Sequence, residues 1–300
     1  MRVAPVVIAH RGASGYLPEH TLPAKALAHG MGADFLEQDV IASKDGALMV
    51  FHDLHLDQMT DVAERFPGRA RPDGLHYCID FTLAELRTLR VTERKRKDGR
   101  GARHPGRFPA NTGTFRIHTL EEELEFIQGL NRSTGREAGV YTEIKDPEWH
   151  REHGVELGDH VIETLQRFGY RTRRDRFYIQ CFSADELERV RAKHGDDLPL
   201  IQLLDYGADV SEAALKQIAN YAVGIGPSIR QALADRGLVQ RAHDVGLLVH
   251  PYTFRADDLP AGIPSFGELL NDFSNQLQVD GLFTDFPDLA ALYRTQSRGL

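Results

Sequence analysis

The sequence predicts a TIM (β/α)8 barrel with a small insertion subdomain after the second strand region, and three features of the 300-residue chain carry that expectation. Short apolar runs rich in β-branched residues alternate with longer segments of helical spacing, the pattern of parallel strands joined by helical crossovers. Nine runs read as strands, but two of them are joined by a hairpin signal rather than a helix, which leaves eight for a barrel. The alternation then fails between His52 and Thr119, over a stretch too long for an ordinary βα loop.

The strand runs are Val6–His10, Phe35–Ile41, Leu48–His52, Val140–Lys145, Phe177–Phe182, Leu200–Leu204, Val223–Gly226, Leu247–Pro251 and Gly281–Thr284. Apolar spacing of three and four predicts helices over Leu22–Gly30, Leu120–Leu130, Val155–Phe168, Ala184–Lys193, Glu212–Tyr221, Gln231–Val245, Phe266–Leu277 and Asp288–Thr295. Thr119 reads as a helix N-cap, and Ser183 with Glu186 three residues on has the spacing of a capping box. Asp45-Gly46 reads as a two-residue hairpin loop, so facing residues sum to 91 and His52 is expected opposite Asp39. Residues 1–300 form a single barrel domain in this reading, with 54–118 inserted at its C-terminal mouth. The alternative architecture is a doubly wound open sheet.

Composition narrows the function. A hydrophobic content of 41% with 27% charged residues is that of a soluble globular protein, and a net charge of −8 offers no general field for nucleic acid. A local basic stretch, Arg94 to Arg107, is broken by Gly99, Gly101, Pro105 and Gly106 and reads as a solvated flexible loop; a clamp for anionic headgroups or a membrane surface is the sharper alternative. Cys78 and Cys181 are too few for a disulfide framework, and Cys181 reads as a buried thiol. With no signal-peptide-like or membrane-spanning segment, the chain as written is expected to be cytoplasmic; removal of a targeting segment would make it periplasmic. Oligomeric state is left open.

Polar residues at strand C-termini are the informative ones, because those ends converge on one cleft in a barrel. His10 and Arg11 end the first strand; Glu37 and Asp39 share one face of the second; Glu143 and Lys145 end another; Asp285 follows the last. Singly, each has an ordinary structural explanation. Together, Glu37, Asp39 and Glu143 are the oxygen ligands a hard cation such as Ca2+ or Mg2+ prefers. Arg11 and Lys145 suit a substrate phosphate. His10 and His52 can divide proton transfer near neutral pH.

The run His10-Arg11-Gly12-Ala13-Ser14-Gly15-Tyr16-Leu17-Pro18-Glu19-His20-Thr21 resembles the opening motif of the glycerophosphodiester phosphodiesterases. Leu36-Glu37-Gln38-Asp39-Val40, Phe51-His52-Asp53, Glu143-Ile144-Lys145 and Phe283-Thr284-Asp285-Phe286-Pro287 resemble that family's later motifs in the same order. Stretches such as Gly106-Arg107-Phe108-Pro109 and His250-Pro251-Tyr252-Thr253 are similar to its periplasmic bacterial branch. The resemblance spans about Val6 to Leu292. It implies hydrolysis of glycerophosphodiesters, such as glycerophosphocholine or glycerophosphoethanolamine, to sn-glycerol 3-phosphate and an alcohol. Carried over position by position, it implies one divalent cation on Glu37, Asp39 and Glu143, a catalytic pair in His10 and His52, and phosphate contacts from Arg11 and Lys145. The nucleophile is either water or the substrate's own glycerol 2-hydroxyl. The competing enzyme is a phospholipase-D-like lyase acting on lysolipid or sphingomyelin.

Overall fold

Eight parallel strands follow one another around a barrel in the computed structural model, which describes residues 4–298. In chain order the strands are β1 (Val6–Ala9), β2 (Phe35–Ala42), the antiparallel arm β3 (Leu48–Val50), β4 (Gly139–Ile144), β5 (Phe177–Cys181), β6 (Leu200–Leu204), β7 (Gly224–Pro227), β8 (Leu248–Val249) and β9 (Gly281–Thr284). Their spatial order is β8-β7-β6-β5-β4-β2-β1-β9, with β3 paired only to β2. The seam closes where Asp280 N donates to Val249 O at 2.9 Å and Phe254 N donates to Phe283 O at 2.8 Å. All nine expected strands form, although β8 keeps only two residues. The closed seam excludes the open doubly wound sheet.

Strand alternation sorts the side chains. On β2, Leu36, Val40 and Ala42 face the outer helices, while Phe35 joins Ile8, Tyr141, Ile201 and Phe283 inside the barrel. These large residues fill the barrel floor, so the polar inward positions above them, Glu37, Asp39 and Glu143, are held on a rigid base. The parallel register sets Asp39 beside Glu143.

The hairpin differs from its expected register by one residue. Pairs such as Val40 with Val50 and Ala42 with Leu48 sum to 90, because the loop has three residues rather than two. Gly46 N donates to Ser43 O and Ser43 N to Ala47 O; Gly46 takes the left-handed position at φ 82° that closes a type I turn with a bulge. Phe51 N therefore donates to Asp39 O, and His52 lies just past the ladder instead of opposite Asp39.

Among the helices, Leu22–Gly30 and Ala184–His194 lie close to their expected bounds, and Thr119 caps Leu120–Thr134 in a full capping box with Glu122. Ser183 accepts from Glu186 N, but the reciprocal bond is missing, because the Glu186 carboxylate is taken by Arg151 and Arg189. The expected helix Gln231–Val245 splits into Ile229–Ala234 and Leu238–Asp244. Asp235 causes the break: its Oδ1 accepts from Gly237 N, a turn that competes with helical hydrogen bonding. The segment Phe266–Leu277 is helical throughout, changing from α to π winding at Asp272.

Residues 54–118 hold only short helical pieces, Val62–Arg65, Cys78–Asp80 and Leu83–Leu86. Leu56, Met59, Val62, Cys78, Phe81, Leu86, Leu89 and Val91 make a second core, anchored on Ile41, Met49 and Phe51 of the hairpin. Both cysteines are buried and free.

Candidate active site at the barrel mouth

Two adjoining cavities of about 710 Å³ each open at the C-terminal ends of the strands, and they share His10, Arg11, His52, Arg103 and Arg255. One extends over Glu37, Glu143, Lys145 and the rings of Phe182 and Tyr252. The other runs under the residues 93–97 and over Asp53 and Asp285.

His10 leaves β1 where the chain must turn sharply toward the helix Leu22–Gly30. Gly12 allows this with φ 88°, and a Cβ there would meet the Ala24 backbone at 2.8 Å. Arg11 itself sits at φ 59°, a strained position for a residue with a side chain, and its backbone N–H reaches Glu37 Oε2 at 2.5 Å. The His10 ring is buried, with Nδ1 at 2.6 Å from Asp285 Oδ1. An ionised carboxylate only accepts, so Nδ1 carries the proton and Nε2 keeps its lone pair. Asp285 in turn accepts at Oδ2 from Arg107 Nη2 at 2.7 Å and Arg255 Nε at 2.8 Å. Burial and the neighbouring Arg11 lower the His10 pKa against the pull of Asp285.

His52 repeats the arrangement from just past β3, one strand away from β1. Its Nδ1 is 2.5 Å from Asp53 Oδ1, and Asp53 Oδ2 accepts from Arg94 Nη1 at 2.6 Å. Burial, Arg11 and Lys145 push its pKa down to about 3, with Asp53 and Asp39 opposing. Arg94 also holds Glu19 through Nη2 at 2.6 Å, and the same Glu19 oxygen accepts from Arg11 Nη1 at 2.7 Å.

Beneath the histidines the three carboxylates crowd together. Burial and the charge on Asp39 raise Glu37 well above the ordinary carboxylate range, although Arg11 opposes. Burial pushes Glu143 up to about 8, with Lys145 working against it and Asp39 adding to it. Burial also acts to raise Asp39, but Lys145 and His20 outweigh it and hold that carboxyl well below its usual value. Such mutual repulsion is what a cation would relieve.

The donor set fits a hard divalent cation. Asp39 Oδ1 is buried with no hydrogen-bond partner among the described residues, and ligand atoms of His20, Glu37 and Asp39 lie within 4.8 Å of one another. His20 Nε2 is 2.7 Å from Asp39 Oδ2, the contact of a residue that orients a carboxylate ligand. Lys145 Nζ meets Glu143 Oε1 at 2.7 Å.

The structure thus brings His10, Arg11, Glu37, Asp39, His52, Glu143 and Lys145 to one mouth. Sequence reasoning did not assign Asp53, Glu19, His20, Arg94, Arg107 or Arg255 to it. Asp53 was signalled by its adjacency to His52, and Asp285 by its place after the last strand. The basic stretch is not a uniformly solvated loop: Arg96, Lys97 and Arg100 at its tip are exposed, but Arg94 and Arg107 fold back into ion pairs, their side chains 7% and 6% exposed.

Residues 10–289 match the Glycerophosphoryl diester phosphodiesterase family. A Haemophilus influenzae protein named Glycerophosphodiester phosphodiesterase is 40% identical over 325 aligned positions, covering 96% of this chain and 89% of its own length. A solved structure from Silicibacter pomeroyi superposes with a TM-score of 0.78 at 25% identity, covering 99% of this chain and 95% of that one. An Oleispira antarctica phosphodiesterase, solved in complex with the product sn-glycerol-3-phosphate, shares the fold with a TM-score of 0.70 at 23% identity, covering 97% of this chain and 96% of its own.

Proposed function

Because the chain belongs to the glycerophosphoryl diester phosphodiesterase family and is a glycerophosphodiester phosphodiesterase, we propose that His10 and His52 exchange the protons of that hydrolysis. The products are sn-glycerol 3-phosphate and an alcohol such as choline or ethanolamine. One observation carries the reading: two imidazoles, a buried one at His10 and a part-exposed one at His52, are each held through Nδ1 by their own carboxylate and border the same cavity above three crowded carboxylates.

In this reading one divalent cation, Ca2+ or Mg2+, would be held by Glu37 and Asp39, whose ligand atoms cluster with His20, and by Glu143, which stands beside Asp39 in the strand register with one oxygen on Lys145; His20 would orient Asp39. When bound, the cation supplies Lewis-acid neutralisation of the phosphodiester. Arg11 and Lys145 add two fixed positive charges beside it, and both stay cationic because the surrounding carboxylates raise their pKa values. One histidine, neutral at Nε2, takes the nucleophile's proton, and the other, entering the cycle as the imidazolium, gives its Nε2 proton to the departing alkoxide. Asp285 and Asp53 stabilise each imidazolium as it forms.

The test is turnover of glycerophosphocholine, followed by released sn-glycerol 3-phosphate. His10→Ala and His52→Ala should each lower kcat by about 10²–10⁴-fold with the fold intact. Near wild-type turnover in both would sink the proposal.

A further inference from the structure

The two ends of the basic loop meet the two histidines in parallel ways. At its start, Arg94 Nη1 donates to Asp53, whose other oxygen holds His52. At its end, Arg107 Nη2 donates to Asp285, whose other oxygen holds His10. Each arginine is itself fixed: Arg94 by Glu19 and Gln58, and Arg107 by a two-point contact with Asp257 at 2.8 and 3.0 Å. No other part of the 54–118 segment makes such a contact to both histidine carboxylates among the described residues.

We propose that Arg94 and Arg107 are positioning residues through which the inserted segment fixes the orientation and tautomer of His52 and His10. The proposal rests on the reading of these histidines as the proton-transfer pair. A carboxylate with one oxygen tied to a guanidinium presents the other in a single direction, so the imidazole it holds keeps Nε2 toward the reacting phosphate. Docking of the loop ends therefore completes the site as well as covering it.

The geometry is unequal, and that makes the proposal sharp. Asp285 has a second arginine, Arg255, from the loop after β8, whereas Arg94 is the arginine bonded to Asp53 among the described residues. Removing Arg94 should thus cost more than removing Arg107 alone.

The experiment measures kcat and KM for glycerophosphocholine and the low-field Nδ1–H proton resonances of the two histidines. Arg94→Ala should lower kcat by about 10–100-fold, the usual cost of losing such an outer contact, with KM changed less. The His52 resonance should shift or broaden while that of His10 stays. Arg107→Ala should do less, and Arg107→Ala with Arg255→Ala should match Arg94→Ala but at His10. Arg94→Lys and Arg107→Lys, which keep the charge without the fork, should recover part of the loss and guard against variants that fail to fold. Arg100→Ala at the exposed loop tip should leave everything unchanged. Unchanged kcat and His52 resonance in Arg94→Ala overturn the proposal. So does an equal loss in Arg100→Ala, which would make the effect one of net loop charge. The resonances report positioning without turnover, so they separate failure here from failure of the histidine assignment itself.

Discussion

Replacing Asp285 with asparagine tests whether the histidine carboxylates set proton transfer or only pack. Two guanidinium N–H groups converge on Oδ2, from Arg107 at 2.7 Å and Arg255 at 2.8 Å. In Asp285→Asn the amide oxygen must take that position, because an amide NH2 facing two arginines would leave all three groups without acceptors. The NH2 then faces His10 Nδ1, which must accept, and the ring proton moves to Nε2 on the cavity side. Such an imidazole neither takes a proton at Nε2 nor has a carboxylate to stabilise its charged form. The expected loss in kcat is about 10²–10⁴-fold. Stability should change less than activity, since the amide oxygen keeps both arginines bonded and Arg107 retains Asp257. Asp285→Ala is the contrasting variant: it strips the partner from a buried pair and should cost about 3–5 kcal/mol in urea unfolding. The assay is initial-rate release of sn-glycerol 3-phosphate beside a denaturation curve for each variant. An Asp285→Asn enzyme keeping more than about a tenth of wild-type kcat would refute the tautomer argument.

The remaining expectations concern the cation, the nucleophile and acid stability. Excess chelator should abolish turnover and added Ca2+ or Mg2+ restore it, while Asp39→Asn should lose calorimetric binding of the ion; activity persisting in chelator would remove the metal from the scheme. A substrate lacking the glycerol 2-hydroxyl separates the two nucleophiles: unchanged hydrolysis excludes a cyclic phosphate route, which instead requires a cyclic phosphate among the products of the natural substrate. Glu123, fully buried against Lys25 and His118, has burial acting to raise its pKa, but these partners bring it down to about 2. Against an unfolded value near 4.3, its folded-state pKa is lowered, so its contribution of about 3 kcal/mol is present above about pH 4.3 and lost as pH falls toward 2. Glu123→Gln should be destabilised by roughly that amount at neutral pH and converge with wild type near pH 2, read by urea unfolding across the range.

How much of this was legible beforehand follows from the range of each interaction. Strands announce themselves locally: the alternation of Leu36, Val40 and Ala42 outward with Phe35, Glu37 and Asp39 inward is written in consecutive residues. The charged residues at strand ends were legible for the same reason, since barrel geometry alone sends them to one mouth. The hairpin register was not, because Asp45-Gly46 suits both a two-residue loop and the last positions of the three-residue loop that forms. Nor was the helix break at Asp235, where one side-chain hydrogen bond outweighs good apolar spacing. The fates of Arg94 and Arg107 depend on carboxylates up to 178 residues away, and nothing within the loop distinguishes them from Arg96 or Arg100.

The two histidines illustrate the same point from inside the site. His52 finds its carboxylate in the next residue, so its dyad is a property of one turn of chain. His10 finds its own 275 residues later, and only because β1 pairs with β9 in parallel, with Ala9 beside Thr284. That pairing brings the first strand's end against the last strand's end, and the seam to β8 then holds β9 in place through Phe254 and Asp280. Two side chains of one type, with matching Nδ1 contacts, are thus fixed by interactions of very different range. The closure of the barrel therefore sets the contact at His10 in a way that it does not at His52. An arginine of the segment 54–118 joins each dyad from outside, and in both cases it is the carboxylate, not the histidine, that receives it.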